Sequence, residues 1–171
     1  MSDIEVFEQF KWDVYKTCFY MLQDKHEAED MTQNVFITIF SYDYSKIENL
    51  KAWIITISMN MCKNYLKRQK RIIIMDNIRE KISDSSKAND NSTQLEQSQL
   101  KGEIHELLSN LPEKCRSVVV LKYLHDMKYG QISQILGITE GAAKSNCNYA
   151  LKLLRKKMSN HNLVHILEEG I

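Results

Sequence analysis

The chain has 171 residues, enough for one medium domain or two small ones, and 43% of them are hydrophobic, enough for a packed core. A single proline and five glycines argue for a mostly helical protein, and four scattered cysteines (Cys18, Cys62, Cys115, Cys147) exclude a CxxC zinc or redox motif and suit buried thiols in a reducing cytosol. The net charge of +1 hides a division: residues 1–48 hold four Lys and ten Asp or Glu, whereas residues 49–82 hold eight Lys or Arg and two acids, which suggests two different partners.

Residues 4–22 place Ile4, Phe7, Phe10, Val14, Cys18 and Met21 three or four apart, which predicts an amphipathic helix. The acidic N-terminus MSDIEVFEQF is no signal peptide, and the apolar runs are too short to span a bilayer, so a cytoplasmic protein without membrane insertion is expected. After the polar break QDKHEAED, a second helix has Ala28, Met31, Val35, Phe36 and Ile39 on one face, with Glu27, Glu29 and Asp30 as its acids. SYDYSKIEN reads as a loop of turn formers and tyrosines. Leu50, Ile54, Ile57 and Met61 then begin a third, long helix that runs into KNYLKRQKR. RIIIM (Arg71–Met75) fits the end of that helix, a short extended segment or an apolar patch for a partner. From about Ser83 to Ser98 the chain has almost nothing to bury, and a flexible linker is expected. Ile104, Leu107, Leu108 and Leu111 predict a short helix stopped near Pro112, since the residue before a proline avoids the α region. Pro112 itself can open the next helix, PEKCRSVVVLKYLHD.

YGQISQIL carries an apolar face at Ile132, Ile135 and Leu136, and Gly137 follows where a helix end takes a left-handed residue. Thr139 is a good N-cap for a further helix with an inward stripe of Ala143, Cys147, Leu151 and Leu154 and with Ala150 beside it. The pattern is that of a helix-turn-helix, or of an ordinary helical hairpin. The outward face would carry Gly141, Lys144, Ser145, Asn148 and Lys152, with polar groups suited to base edges or phosphates. Arg155, Lys156 and Lys157 complement the helix dipole whether or not DNA is bound. On the third helix Lys63, Lys67, Lys70 and Arg71 fall at i, i+4, i+7 and i+8, with Arg68 and Asn64 beside them. Trp53 and Tyr65 share that helix, and cations beside aromatics suit unstacked single-stranded bases. A solvated helix end around a core tryptophan would give the same pattern.

Taken in order, these parts resemble a bacterial sigma-70-family factor of the extracytoplasmic-function (ECF) group. DKHEAEDMTQNVFITIF is similar to the family's region 2.1–2.2, LKAWIITISMNMCKNYLKRQKR to region 2.3–2.4, and LPEKCRSVVVLKYLHDMKYGQISQILGITEGAAKSNCNYALKLL to region 4. The resemblance implies an all-α fold of two small helical domains: region 2 at 1–75, a flexible linker at 76–99 and region 4 at 100–171. It implies no catalysis, no cofactor and no metal. The implied partners are core RNA polymerase (its β′ clamp helices and β flap), promoter DNA and an anti-sigma factor. Glu29, Asp30, Gln33 and Phe36 fall on the segment that docks to the clamp helices. Tyr42, Asp43 and Tyr44 lie in the loop Ser41–Asn49, where the family captures a flipped −10 base. Trp53, Asn60, Lys63, Lys67 and Arg68 fall on the helix lining the melted DNA. Arg116 matches a position near the −35 backbone, and Lys144, Ser145, Asn148, Tyr149 and Lys152 lie on the recognition helix. Asn146 and Tyr149 stand where the family often has Arg, which weakens phosphate attraction and shifts the expected −35 preference. The alternatives are a stand-alone helix-turn-helix regulator and a protein that keeps this fold only to sequester polymerase or a regulator.

Overall fold

Capping side chains set where several of the helices begin. In the computed structural model, which describes residues 1–80 and 99–157, α1 spans Asp3–Leu22. Ser2 Oγ accepts from the Glu5 N–H at 3.3 Å, and the Glu5 carboxylate accepts from the Ser2 N–H at 2.7 Å, a reciprocal capping box. Gln23, left-handed at φ 64°, ends α1 by donating its N–H to the Phe19 carbonyl. Asp24 Oδ1 then accepts from the Glu27 N–H at 2.9 Å and opens α2, Lys25–Phe40. Asn49 Oδ1 caps α3, Leu50–Glu80, by accepting from the Ala52 N–H at 3.0 Å.

RIIIM is therefore helical, part of an α3 that runs on to Glu80. The expected linker lies outside the described residues. Beyond it come α4 (Gln99–Ser109) and α5 (Glu113–Val119), the latter capped by Pro112 and continued by a π-helical turn at Val120–Leu124. Two further helices, α6 (Tyr129–Leu136) and α7 (Glu140–Lys157), complete the described chain, which contains no strand among its described residues. The fold class is all-α.

Between α6 and α7 the backbone does what Gly137 and Thr139 predict. Gly137 sits at φ 64°, and Thr139 Oγ1 accepts from the Ala142 N–H at 3.1 Å. No heavy atom lies within 4 Å of a Cβ built on Gly137, so a side chain there would meet backbone strain alone. Gly137→Ala is expected to cost about 1–2 kcal/mol, read as a lowered thermal midpoint with unchanged circular dichroism. An unaltered midpoint would remove the left-handed turn from the account.

The first core forms where α1, α2 and α3 meet. It holds Val6, Phe10, Val14, Cys18 and Met21 of α1, Ala28, Met31, Val35, Phe36 and Ile39 of α2, and Ile54, Ile55, Met59 and Cys62 of α3. Full burial of each aliphatic side chain contributes about 1.5–3 kcal/mol. The α1 stripe differs from the predicted one at its start, because Ile4 and Phe7 are exposed and Val6 takes the inward position. On α3 the buried arc is wider than a single stripe, since α1 and α2 both pack on it and leave Ile57 and Met61 only half-buried. The second core joins Ile104, Leu108, Val118 and Leu121 to Ile132, Ala143, Cys147, Ala150 and Leu154. On α7 Ala150, expected beside the stripe, is fully buried, whereas Leu151 is only half-buried. All four cysteines are buried and free of disulfides.

The two helical units touch. Phe19 stacks on His105 (centroids 4.8 Å, planes 28° apart), and His105 Nε2 lies 3.3 Å from the Gln23 carbonyl. Thr17 Oγ1 is 2.7 Å from His125 Nε2 and also 2.7 Å from the Asp13 carbonyl, which can only accept. The threonine hydroxyl therefore donates to Asp13, and His125 Nε2–H donates to the threonine. This leaves Nδ1 bare, buried and without a protein partner, in a neutral imidazole.

Candidate polymerase and nucleic-acid interface

The outward side of α2 follows from its inward side. With Ala28, Met31, Val35 and Ile39 buried, Glu29, Asp30, Gln33 and Asn34 face solvent as an acidic and amide surface. Phe36 is not on it. Only 3% of Phe36 is exposed, and its ring meets Phe7 edge-on at 4.9 Å. It belongs to the core, and its place in the docking set is corrected on that ground. Ile37, 69% exposed, is the large apolar side chain that this surface presents. Its spacing of seven from Asp30 and four from Gln33 is the helical signal that marks it.

The loop after α2 folds back on α1 and α3. The Tyr44 hydroxyl donates to the Asp3 carboxylate, which pushes the phenol up to about 12, and Asp43 accepts from both the N–H and the hydroxyl of Ser45. Those two bonds hold the Asp43 carboxyl below its usual range. Tyr42 stands edge-on to Trp53, centroids 6.0 Å apart. The loop borders an open recess of about 600 Å³, lined by Met1, Phe40, Tyr42, Tyr44, Ile47 and Leu50 with Asp3, Asp43 and Glu48 at its polar edge; Trp53 is not part of its lining. Aromatic walls with three carboxylates at the edge suit an uncharged planar group better than a phosphate.

Along α3, Asn60, Lys67, Arg68, Lys70 and Arg71 are exposed and Lys63 is half-buried. The Lys63 ammonium donates to the Leu136 carbonyl at 3.2 Å, and Lys70 forms an ion pair with Glu113. Tyr65 is not a free stacking platform. It is half-buried, and burial together with a hydrogen bond to Glu27 pushes its phenol up to about 12. Past these cations, Ile72, Ile73, Ile74, Met75 and Ile78 are 50–58% exposed.

On α7 the buried stripe turns Lys144, Ser145, Asn148, Tyr149 and Lys152 to solvent on one face. Lys144 is not idle: it lies 3.3 Å from Glu140 and 5.9 Å from the Tyr129 ring. Arg116, on α5, is half-buried; burial lowers its pKa, and its Nε lacks a protein partner.

Two family descriptions match this arrangement: sigma-70 region 2 over residues 6–72 and sigma-70 region 4 over residues 101–154. The ECF RNA polymerase sigma factor SigM of Bacillus subtilis (strain 168) is 30% identical over 149 residues, covering 85% of this chain and 88% of that protein. The chain belongs to the ECF sigma factors of the sigma-70 family. A second similar protein is the ECF sigma factor SigW of the same organism, 26% identical over 168 residues, with 90% of this chain and 87% of that protein covered. The fold of this sigma factor is shared with RpoE, solved in complex with the anti-sigma factor NepR from Bartonella quintana. That likeness has a TM-score of 0.66 at 18% identity and covers 89% of this chain and 93% of that one. As a sigma factor the chain is a non-enzymatic transcription initiation factor that binds core RNA polymerase and directs it to promoter DNA. No helix among its described residues is long and apolar enough to cross a membrane.

Proposed function

We propose that four surfaces divide the work of initiation in this sigma factor. The α2 face of Glu29, Asp30 and Gln33, extended by Ile37, docks on the β′ clamp helices of core polymerase. Tyr42, Asp43 and Tyr44 border the recess that takes an unpaired −10 base. Trp53, Asn60, Lys63, Lys67 and Arg68 carry the melted strand along α3. Lys144, Ser145, Asn148, Tyr149 and Lys152 read the −35 element, with Arg116 behind them and the β flap as the second polymerase contact. Region 2 at 1–75 and region 4 at 100–171 are the units, joined by 76–99, and the protein works in the cytoplasm under an anti-sigma factor.

The observation that carries this reading is the segregation of charge on successive helices, acidic on the exposed face of α2 and cationic along α3. Opening a duplex requires somewhere to hold unstacked bases and a cationic track for one strand. The test is reconstitution. The full chain with core polymerase should initiate on members of a genomic promoter library, and failure on all of them would refute the assignment. In the same assay, Glu29→Lys with Asp30→Lys should weaken polymerase capture at least tenfold while leaving the melting curve in place, since both side chains are exposed. Undiminished capture would move the docking surface elsewhere.

A further inference from the structure

One aromatic ring meets cations from two other elements of the second helical unit. The Lys122 ammonium, on the π-helical turn, lies 5.3 Å from the centre of the Tyr129 ring, and the Lys144 ammonium, on α7, lies 5.9 Å from the same centre. We propose that Tyr129 is a positioning residue for promoter binding, which sets Lys122 beside Lys144 as a pair of phosphate-binding cations. Lys122 is thereby a DNA contact additional to the α7 face. This rests on the reading of α7 as the −35 reader.

A lysine head on its flexible four-carbon stem loses rotamer freedom when it binds, and that loss subtracts from affinity. An aromatic face attracts the ammonium and holds it beforehand, and the N–H groups turned away from the ring remain free for a phosphate oxygen. Tyr129 is itself well fixed. Its backbone opens α6, and its hydroxyl bonds to Cys147, a buried side chain of α7. That bond, with partial burial, pushes the phenol up to about 12 and keeps the side chain neutral. The hydroxyl is thus spent on the core, and the ring is what the two cations meet. Lys122 is half-buried and Lys144 exposed, as suits cations held against a ring but not enclosed by it. Sharing one ring places the two ammonium groups at most about 11 Å apart, roughly three phosphate spacings along one strand. Two like charges that near repel each other. Glu140, 3.3 Å from Lys144, offsets part of the repulsion, and a bound strand would relieve the rest.

The test is binding of reconstituted holoenzyme, wild type and variants, to a fluorescein-labelled promoter duplex over a range of salt. Tyr129→Leu removes the ring and should weaken binding about five- to tenfold, the effect of losing two surface cation–π contacts. Tyr129→Phe keeps the ring and should recover most of that loss. Lys122→Met should lower the slope of log affinity against log salt by about one unit. On a Lys122→Met, Lys144→Met background Tyr129→Leu should have little further effect, whereas a ring needed only for packing would cost the same on either background. Circular dichroism of the free chain separates a local loss from unfolding, and the Lys122→Met salt slope decides the matter if Tyr129→Leu fails to fold. An unaltered slope overturns the added contact, and equal losses on both backgrounds overturn the positioning role. Neither result touches the α7 reading. That reading falls only if alanine at Lys144, Ser145 and Asn148 together leaves promoter choice unchanged, and the role of Tyr129 falls with it.

Discussion

Replacing Lys144, Ser145 and Asn148 together by alanine should lower transcription from a −35-dependent promoter about a hundredfold, and should flatten the response to changes in the −35 sequence. The magnitude follows from the chemistry of base contacts. A good bidentate contact discriminates by about 1–3 kcal/mol, and these three side chains are shorter or single-pronged, so about 1 kcal/mol each is appropriate. Three such losses give about 3 kcal/mol, or roughly two orders of magnitude. Lys144 starts from a contact with Glu140, but an exposed pair of that kind is worth about 1 kcal/mol at most and offsets little. The fold should survive, because the α7 residues that pack are Ala143, Cys147, Ala150 and Leu154. Multiple-promoter transcription with holoenzyme measures the effect. Unchanged promoter ranking in the triple variant would show that α7 is not the reader.

Acid should loosen the contact between the two helical units, and His125 supplies the sign. Burial drives its pKa down to about 4 from an ordinary 6.5, against the attraction of Asp13 and with further repulsion from Lys51 and Lys16. Between those two values the solvated imidazole binds more protons than the docked one, so the docked arrangement loses stability as pH falls. Its contribution is fully present above about pH 6.5 and is withdrawn toward pH 4. At about pH 5 the withdrawn stability is of order 2 kcal/mol, roughly a thirtyfold shift toward separated units. Scattering or melting curves taken from neutral pH to about pH 5 should therefore differ between the wild type and His125→Gln, the variant being the flatter. Identical curves would clear His125 of any part in the response.

Much of the fold could be read from local chemistry. α6 ends and α7 begins where Gly137 and Thr139 predict, because each of these signals acts on its own neighbours. The five predicted core residues of α2 are all buried for a similar reason, since one amphipathic helix on one core needs only its own periodicity. Prediction was weaker where a helix serves more than one neighbour. α3 packs on α1, α2 and α6, so its buried arc is broader than a single stripe. Phe36 and Tyr65 show a different difficulty. The family resemblance marked Phe36 and its place beside cations marked Tyr65 as contact groups, yet one fills the core and the other is tied to Glu27 across to α2. The acceptor for Lys63 lies 73 residues away, and no spacing rule reaches that far.

The exposed row from Ile72 to Ile78 has a consequence for how the protein behaves in concentrated solution. Isoleucine is β-branched and favours extended strands, and a short run of such residues without charge is the composition that seeds cross-β association. In the helix these side chains cannot align with a neighbour as strands, so colloidal behaviour depends on how firmly the far end of α3 stays wound. Lys70 and Arg71 on one side and Asp76 within the row are placed as gatekeepers, whose charge discourages stacking of one chain on the next. The cations that suit a DNA strand thus also keep the unengaged molecules apart.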